Sequence, residues 1–148
     1  KMATLGKPNY KLPLPLNDDS YNFSFSGLKS AVINLAHNEK QRGNSINKED
    51  LSFAFQDVVS NILTKKTQKA IQNLNVKNFV IAGGVAANSG IRKKLQEMCE
   101  KEGVEFTFPK IEYCTDNAAM IGAAGYFAYK KGDISSLYIN AKSTVELS

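Results

Sequence analysis

The sequence predicts an α/β fold in which helices flank a mostly parallel sheet. Two observations support this. First, strand-like and helix-like patterns follow each other in the order strand, helix, helix, strand, helix, strand, helix. Second, Phe79–Ala82 is a short, continuous apolar run that ends at Gly83-Gly84. Such a run is typical of a parallel strand buried on both faces. Ligands of these sheets bind at the carboxyl ends of strands, so the segments after strands are the candidate site.

The first half of the chain is predicted to hold one strand and two helices. Residues 1–20 contain three prolines and are expected to form an irregular lead-in. Tyr21–Ser26 alternates aromatic and polar residues, which indicates a half-buried strand. A helical stripe begins at Leu28 and is expected to end near Glu39–Gly43. The longest helix follows, and Asn47 is the predicted cap of its N-terminus.

The second half continues the alternation after Phe79–Ala82. A helix is predicted near Ser89–Glu102 with Gly103 as its left-handed terminator. Val104–Phe108 is the next predicted strand, and Ala118 to about Lys130 is the last helix. We divide the chain into a lead-in (1–20), an α/β lobe (21–132) and a C-terminal tail (133–148), with a short extended stretch expected at Leu137–Ile139.

Length and composition restrict the class of protein. The chain has 148 residues, of which 43% are hydrophobic and 22% charged, as expected for one globular domain or one lobe of a larger protein. No apolar run approaches the roughly 18 residues that span a bilayer, so no membrane partner is expected. Two cysteines outside any zinc-ligand spacing favour a reducing cytoplasm. Lys1 precedes Met2, which suggests added residues or a cut chain. The net charge of +5 permits a nucleic-acid partner but does not require one.

The first candidate site is the turn Gly83-Gly84 together with Asn88. Paired glycines after a buried strand let a ligand approach the backbone, because no Cβ intervenes. The helix that follows offers unpaired N–H groups to an anion, and the Asn88 amide could contact a ribose or base. The alternative is a tight turn in which Asn88 or Ser89 caps the helix. From the local pattern alone we favour this alternative.

The second candidate is Asp116, at the start of the last helix. A carboxylate at the rim of a sheet is a plausible ligand for a hard metal ion. Capping is again the alternative that the local pattern favours, because Thr, Asp and Asn are all preferred N-caps. The stretch Gly122–Gly125 forms a helix face of small residues, and we expect another chain element to pack closely on it.

The remaining candidates are weaker. Ser26 and Lys29 could meet substrate at a strand end, but a solvated lysine is the favoured interpretation. His37, the only histidine, is expected to lie on the surface. Two basic clusters are expected to be solvated faces, with RNA contact as the second interpretation. These clusters consist of Lys65, Lys66 and Lys69, and of Arg92, Lys93 and Lys94.

Three segments in order resemble one enzyme family: Phe23–Val32 (FSFSGLKSAV), Val80–Arg92 (VIAGGVAANSGIR) and Tyr113–Tyr126 (YCTDNAAMIGAAGY). They are similar to signature blocks in the C-terminal half of the tRNA N6-adenosine threonylcarbamoyltransferases, formerly called O-sialoglycoprotein endopeptidases. The resemblance implies a lobe of an actin-like ATPase (ribonuclease H-like) fold. It also implies transfer of threonylcarbamoyl from threonylcarbamoyl-adenylate to N6 of the adenosine next to the anticodon, in tRNAs reading ANN codons.

The resemblance also assigns roles to residues, and these reverse both local preferences. Gly83, Gly84 and Asn88 become the nucleotide-binding residues, and Asp116 becomes a ligand of one divalent metal ion, iron or zinc. No catalytic side chain is assigned. The implied partners are tRNA, threonylcarbamoyl-adenylate, a missing N-terminal lobe and the companion subunits of a cytoplasmic complex.

One departure from the family pattern matters. The family's His-x-x-x-His metal ligands belong to its N-terminal half, and this chain has only His37. We therefore expect a C-terminal portion that is inactive alone. A non-catalytic actin-like nucleotide-binding scaffold subunit is the main alternative. An actin-fold sugar or acid kinase and a peptidase are less favoured, because the chain lacks their catalytic motifs.

Overall fold

The structure is a computed structural model that describes residues 2–16 and 18–140. Its four α-helices and two β-strands confirm the α/β class. Short 3-10 helices at Met2–Thr4, Gly84–Ala87 and Ile111–Tyr113 lie between them. In chain order the elements are α1 (Ser26–Gln41), α2 (Lys48–Leu74), β1 (Asn78–Val80), α3 (Ser89–Glu102), β2 (Glu105–Thr107) and α4 (Ala118–Lys130).

Helix α2 is the longest element, and the residues at its two ends explain its bounds. The Asn47 side chain accepts a hydrogen bond from the backbone N–H of Asp50, which confirms the predicted cap. Glu49 and Asp50 place negative charge in the first turn, where the helix dipole favours it. The helix ends at Asn75, whose φ of 50° is left-handed.

The main hydrophobic core lies between α2, α3 and the two strands. Helix α3 has the predicted bounds and is followed by Gly103 at φ 67°. Its inward residues are Ile91, Leu95 and Met98, as predicted, and Cys99 is fully buried beside them. The buried members of this core are Ile71, Ile91, Leu95, Met98, Cys99 and Val104.

The two strands pair in parallel, with Phe79 opposite Phe106 and their ring centroids 5.7 Å apart. The prediction that the first strand is buried on both faces is wrong. Val80 is 63% exposed, and only Phe79 of the strand turns towards the core. Among the described residues the sheet has two strands, and α2 and α3 pack on one face of it. The other face therefore lacks a cover within this part of the chain.

One other predicted strand and the expected extended stretch do not form in the described residues. Tyr21–Phe25 is irregular, and Ser26 already begins α1. Alternation marks the two faces of a strand but does not supply a hydrogen-bonding neighbour. Here Phe23 and Phe25 instead stack on each other, with centroids 6.4 Å apart. At Leu137–Ile139 the chain forms a turn and not an extended stretch. Residues 141–148 of the predicted tail lie outside the described residues, and the division at residues 20 and 132 stays a prediction.

The lead-in is docked onto the start of α2. Asp50, which is 7% exposed, accepts hydrogen bonds from the Lys7 backbone N–H and from Asn9 Nδ2, both at 2.7 Å. Gly6 lies so close to α2 that a Cβ there would be 2.1 Å from the Glu49 carbonyl oxygen. Residues 2–9 therefore belong to the packed body, although their sequence is irregular.

Helix α4 has the predicted bounds but packs against little of the described chain. None of its residues is buried, although most of them are apolar. Ile121, Phe127 and Tyr129 are each more than 60% exposed. An apolar surface of this kind marks an interaction site in a soluble protein.

Candidate functional site

A cavity of about 990 Å³ lies beside the segment that follows β1. It is bounded by the N-terminal 3-10 helix, α1, α2 and the turn into α3, and most of its surface is apolar. Its polar side chains are few and include Gln56 and Asn88, while Gly84 contributes backbone. A large apolar cavity with a few converging polar groups is the usual form of a small-molecule site. The lining residues are Met2, Ala3, Val32, Lys48, Leu51, Ser52, Phe55, Gln56, Val59, Gly84, Val85, Asn88 and Ile91.

Gly83 and Gly84 differ in what their backbone requires. Gly83 has φ 86° and ψ 172°, a backbone conformation that is essentially restricted to glycine. This conformation turns the chain from β1 into the 3-10 helix Gly84–Ala87, and Gly83 accepts a hydrogen bond from Ala86 N–H. At Gly84 no described atom lies within 4 Å of the position that a Cβ would take. A small side chain would therefore fit at Gly84, and in its absence the backbone is left uncovered at a residue that lines the cavity.

Asn88 caps α3, as the alternative interpretation from sequence required. Its Oδ1 accepts hydrogen bonds from Gly90 N–H at 2.9 Å and from Ile91 N–H at 3.2 Å. Its Nδ2 donates to Gln56 Oε1 on α2 at 3.3 Å. A carboxamide carries two N–H donors, so one remains for a ligand in the cavity. Capping and ligand binding are therefore compatible at this residue.

Gln56 is a site residue that sequence reasoning missed. It is a half-buried residue of α2, and no local signal in the sequence marks it. Its side-chain amide also fits against Gly90, where an added Cβ would be 2.5 Å from Gln56 Nε2. The absence of a side chain at Gly90 therefore leaves room for Gln56 to reach Asn88.

Asp116 does not cap α4. The cap is Asn117, whose Oδ1 accepts a hydrogen bond from Met120 N–H at 2.9 Å. Asp116 is exposed, and its carboxylate has no hydrogen bond or ion pair with any residue that the structure describes. The local alternative for this residue is therefore wrong, and its carboxylate is available to a ligand.

The described residues alone do not form a metal centre. Within residues 2–16 and 18–140, no group of three or more His, Cys, Asp or Glu side chains could hold an ion. Asp116 supplies one oxygen donor site, whereas structural and catalytic metal sites take at least three protein ligands or several oxygens. Any metal at Asp116 would need ligands from outside the described residues.

Arg92 connects the two candidate segments. Its Nε donates to the carbonyl oxygen of Ala86, which lies between Gly84 and Asn88. Its Nη2 donates to the Pro109 carbonyl oxygen at 3.1 Å and to Cys114 Sγ at 3.2 Å. The guanidinium carbon also lies 4.4 Å from the centre of the Phe108 ring. One half-buried side chain on α3 thus contacts both the turn after β1 and the segment that leads to Asp116.

Several members of the two basic clusters are paired within the chain, and one of them, Lys66, is buried. Lys66 is 4% exposed, and its Nζ donates to Asp18 Oδ1 at 2.6 Å and to the Ser20 carbonyl oxygen at 2.7 Å. The Lys66 hydrogen bond, with a smaller one from Ser20, lowers the pKa of Asp18. Lys69 pairs with Asp19, and Lys94 with Asp57. Lys93 remains on the surface, with its side chain 79% exposed.

The other predictions from sequence have mixed outcomes. Lys29 and His37 are both exposed on α1, as expected. The expected close packing on Gly122–Gly125 is not observed, because nothing among the described residues lies within 4 Å of a side-chain position at Gly122 or Gly125. No helix in the described part of the chain combines the length and apolarity needed to cross a membrane.

Comparisons with known protein families and with individual proteins give matches of the same description. A family model described as tRNA N6-adenosine threonylcarbamoyltransferase matches residues 1–123. A protein of that name from Bacillus thuringiensis (strain Al Hakam) is 50% identical over 149 residues, which cover 99% of this chain and 43% of the relative. A protein of the same name from Staphylococcus epidermidis (strain ATCC 12228) is 47% identical over 148 residues and covers 99% of this chain and 44% of the relative. The chain thus spans less than half the length of these relatives.

Proposed function

The chain belongs to the tRNA N6-adenosine threonylcarbamoyltransferase family, and from this we propose that it forms the C-terminal part of an enzyme of that activity. The whole enzyme would transfer threonylcarbamoyl from threonylcarbamoyl-adenylate to N6 of the adenosine next to the anticodon, in tRNAs reading ANN codons. The α/β architecture agrees with the family's actin-like ATPase fold.

The observation that carries this proposal is the common position of the predicted nucleotide-binding residues. Gly84 and Asn88 line the same cavity of about 990 Å³, and Gly83 sets the turn that brings them there. We assign this cavity to the adenylate part of the substrate. Gly84 offers open backbone, and Asn88 offers an amide N–H whose direction is fixed by its other hydrogen bonds. Because such donors are already held in place, no further conformational entropy is lost when they position the substrate for reaction.

Asp116 is proposed as one ligand of a divalent metal ion, iron or zinc. Two observations support this role: the carboxylate is exposed, and the capping role that would otherwise explain it belongs to Asn117. The other ligands would come from the N-terminal part of the enzyme, where the family's His-x-x-x-His pair is expected. The present chain alone is therefore expected neither to bind the metal tightly nor to catalyse transfer.

The remaining partners follow from the same proposal. The exposed apolar surface of α4 would be covered by the rest of the enzyme, because burying such residues is worth about 25 cal/mol per Å². The substrate tRNA and the companion subunits would bind elsewhere, and the reaction would take place in the cytoplasm, where tRNA is modified.

Replacement of Asp116 in the full-length enzyme tests the proposal. Asp116→Ala should abolish threonylcarbamoylation of a cognate tRNA without lowering the melting temperature, since the carboxylate has no partner in the described chain. Asp133→Ala is the matched control, because Asp133 is also an exposed carboxylate near an end of α4. Full modification by Asp116→Ala would contradict the proposal and favour a non-catalytic scaffold subunit.

A further inference from the structure

Arg92 lies where two parts of the proposed site meet. Its backbone N–H bonds to the Asn88 carbonyl oxygen in the first turn of α3, so the base of the side chain is fixed to the nucleotide-side segment. From there the guanidinium reaches Pro109, two residues after the end of β2, and Cys114, two residues before Asp116. Cys114 is 2% exposed, so this contact is made inside the protein.

The chemistry of these contacts requires an arginine. A guanidinium presents five N–H donors in a planar, rigid fork, and its face also stacks on aromatic rings. Arg92 uses this fork for three acceptors in three different segments and places its face over Phe108. A lysine ammonium in the same place is a single point donor, so it cannot reach all three acceptors or stack in this way.

Besides the burial of Cys114, the segment that carries Asp116 is supported mainly by short-range bonds, including those from Cys114 Sγ to the Pro109 and Lys110 carbonyl oxygens. The 3-10 helix Ile111–Tyr113 is held by local bonds, from Tyr113 N–H to Lys110 O and from Cys114 N–H to Ile111 O. Helix α4, on its other side, has no buried residue. The bonds from Arg92 to Pro109 and Cys114 are therefore polar ties that fix this segment relative to α3.

We propose that Arg92 is a positioning residue that holds Asp116 in register with Gly84 and Asn88. The proposal rests on the proposed function, because it assigns the two segments to one substrate. Arg92 itself is not one of the residues assigned to contact the nucleotide or the metal, and it acts through Ala86 and Cys114. This role differs from that of a surface cation that attracts RNA, which its place in a basic run had suggested.

The test compares Arg92→Lys and Arg92→Gln with Lys93→Gln in the full-length enzyme. Lys93 is the matched control, because it is the next residue of the same helix but is exposed and makes only a 4.0 Å contact with Glu97. The first readout is amide hydrogen exchange in a peptide that covers residues 111–117. Both Arg92 variants should raise the exchange rate there about tenfold or more, whereas Lys93→Gln should leave it unchanged.

The second readout is the transfer reaction. Both Arg92 variants should lower kcat about 10- to 100-fold, as loss of an outer support of a site does, with the KM for tRNA unchanged. Loss of Arg92 as an RNA contact would instead raise the KM for tRNA, and this result would overturn the proposal. Wild-type exchange rates in Arg92→Lys and Arg92→Gln would also overturn it. Absence of transfer by the unsubstituted enzyme would contradict the proposed function, and the exchange rates would still decide whether Arg92 fixes the segment.

Discussion

Asn88 has a capping role and a proposed binding role, and substitution with serine should separate them. Its Oδ1 accepts hydrogen bonds from two backbone N–H groups at the start of α3, its Nδ2 donates to Gln56, and the residue lines the cavity. Serine is about as good an N-cap as asparagine, because its hydroxyl oxygen accepts the same backbone donors. It has no amide, however, and cannot replace Nδ2 as a donor towards Gln56 and a ligand.

The expected magnitudes follow from these contacts. Asn88→Ala removes the cap and should cost about 1 kcal/mol of unfolding free energy, within the range of roughly 0.5–2 kcal/mol for such caps. Asn88→Ser keeps the cap and loses only the bond to Gln56, so it should cost less than Asn88→Ala, which loses both. A net hydrogen bond contributes about 0.5–1.5 kcal/mol, and about 1.4 kcal/mol is a factor of ten in affinity. Both variants should therefore bind an adenylate up to about tenfold more weakly.

The assay uses AMP as the probe, titrated into the full-length enzyme by calorimetry, with thermal unfolding measured on the same samples. The expected pattern is a similarly weakened Kd for both variants but a larger drop in melting temperature for Asn88→Ala than for Asn88→Ser. Wild-type AMP affinity in Asn88→Ser, together with a destabilised Asn88→Ala, would refute the reasoning. Asn88 would then be a helix cap without a role in binding.

Two further predictions concern the docked lead-in. Gly6→Ala should destabilise the protein by about 1–3 kcal/mol, because its Cβ would lie 2.1 Å from the Glu49 carbonyl oxygen and the backbone of α2 cannot move aside. Gly27→Ala, where no atom lies within 4 Å, should be neutral or slightly stabilising in denaturant unfolding. The second prediction concerns Asp50. The hydrogen bond from the Lys7 backbone N–H has the largest effect in lowering the pKa of Asp50, and the bond from Asn9 has the next largest. The stability that this carboxylate contributes is therefore complete above its ordinary pKa of about 3.9, and it is lost as the pH falls through the lower pKa of the folded protein. Asp50→Asn should therefore flatten the curve of unfolding free energy against pH below about pH 4. An unchanged curve would contradict the role of Asp50.

The sequence was sufficient where the signal is local. Helix α3 has the predicted bounds because its cap at Asn88, its apolar stripe and its terminator Gly103 all lie within one short segment. The predicted strand at Tyr21–Ser26 failed because alternation cannot indicate whether a partner strand is present. The buried state of Lys66 was also unpredictable, since its partner Asp18 lies 48 residues away. For the same reason Arg92 was grouped with exposed lysines, although its acceptors are buried or lie in turns.

The two capping questions looked alike in the sequence, and the structure answers them in opposite ways. At the start of α3 the candidate ligand residue Asn88 is itself the cap, so a substitution there changes stability and binding together unless the new residue also caps. At the start of α4 three consecutive residues could cap, and the choice of Asn117 leaves Asp116 without a structural contact in the described chain. A loss of transfer in Asp116→Ala at unchanged stability could therefore not be ascribed to unfolding. For this reason the substitution of Asp116 is the more decisive test of the proposed function. A substitution of Asn88 tests ligand binding alone only where the replacement also caps the helix.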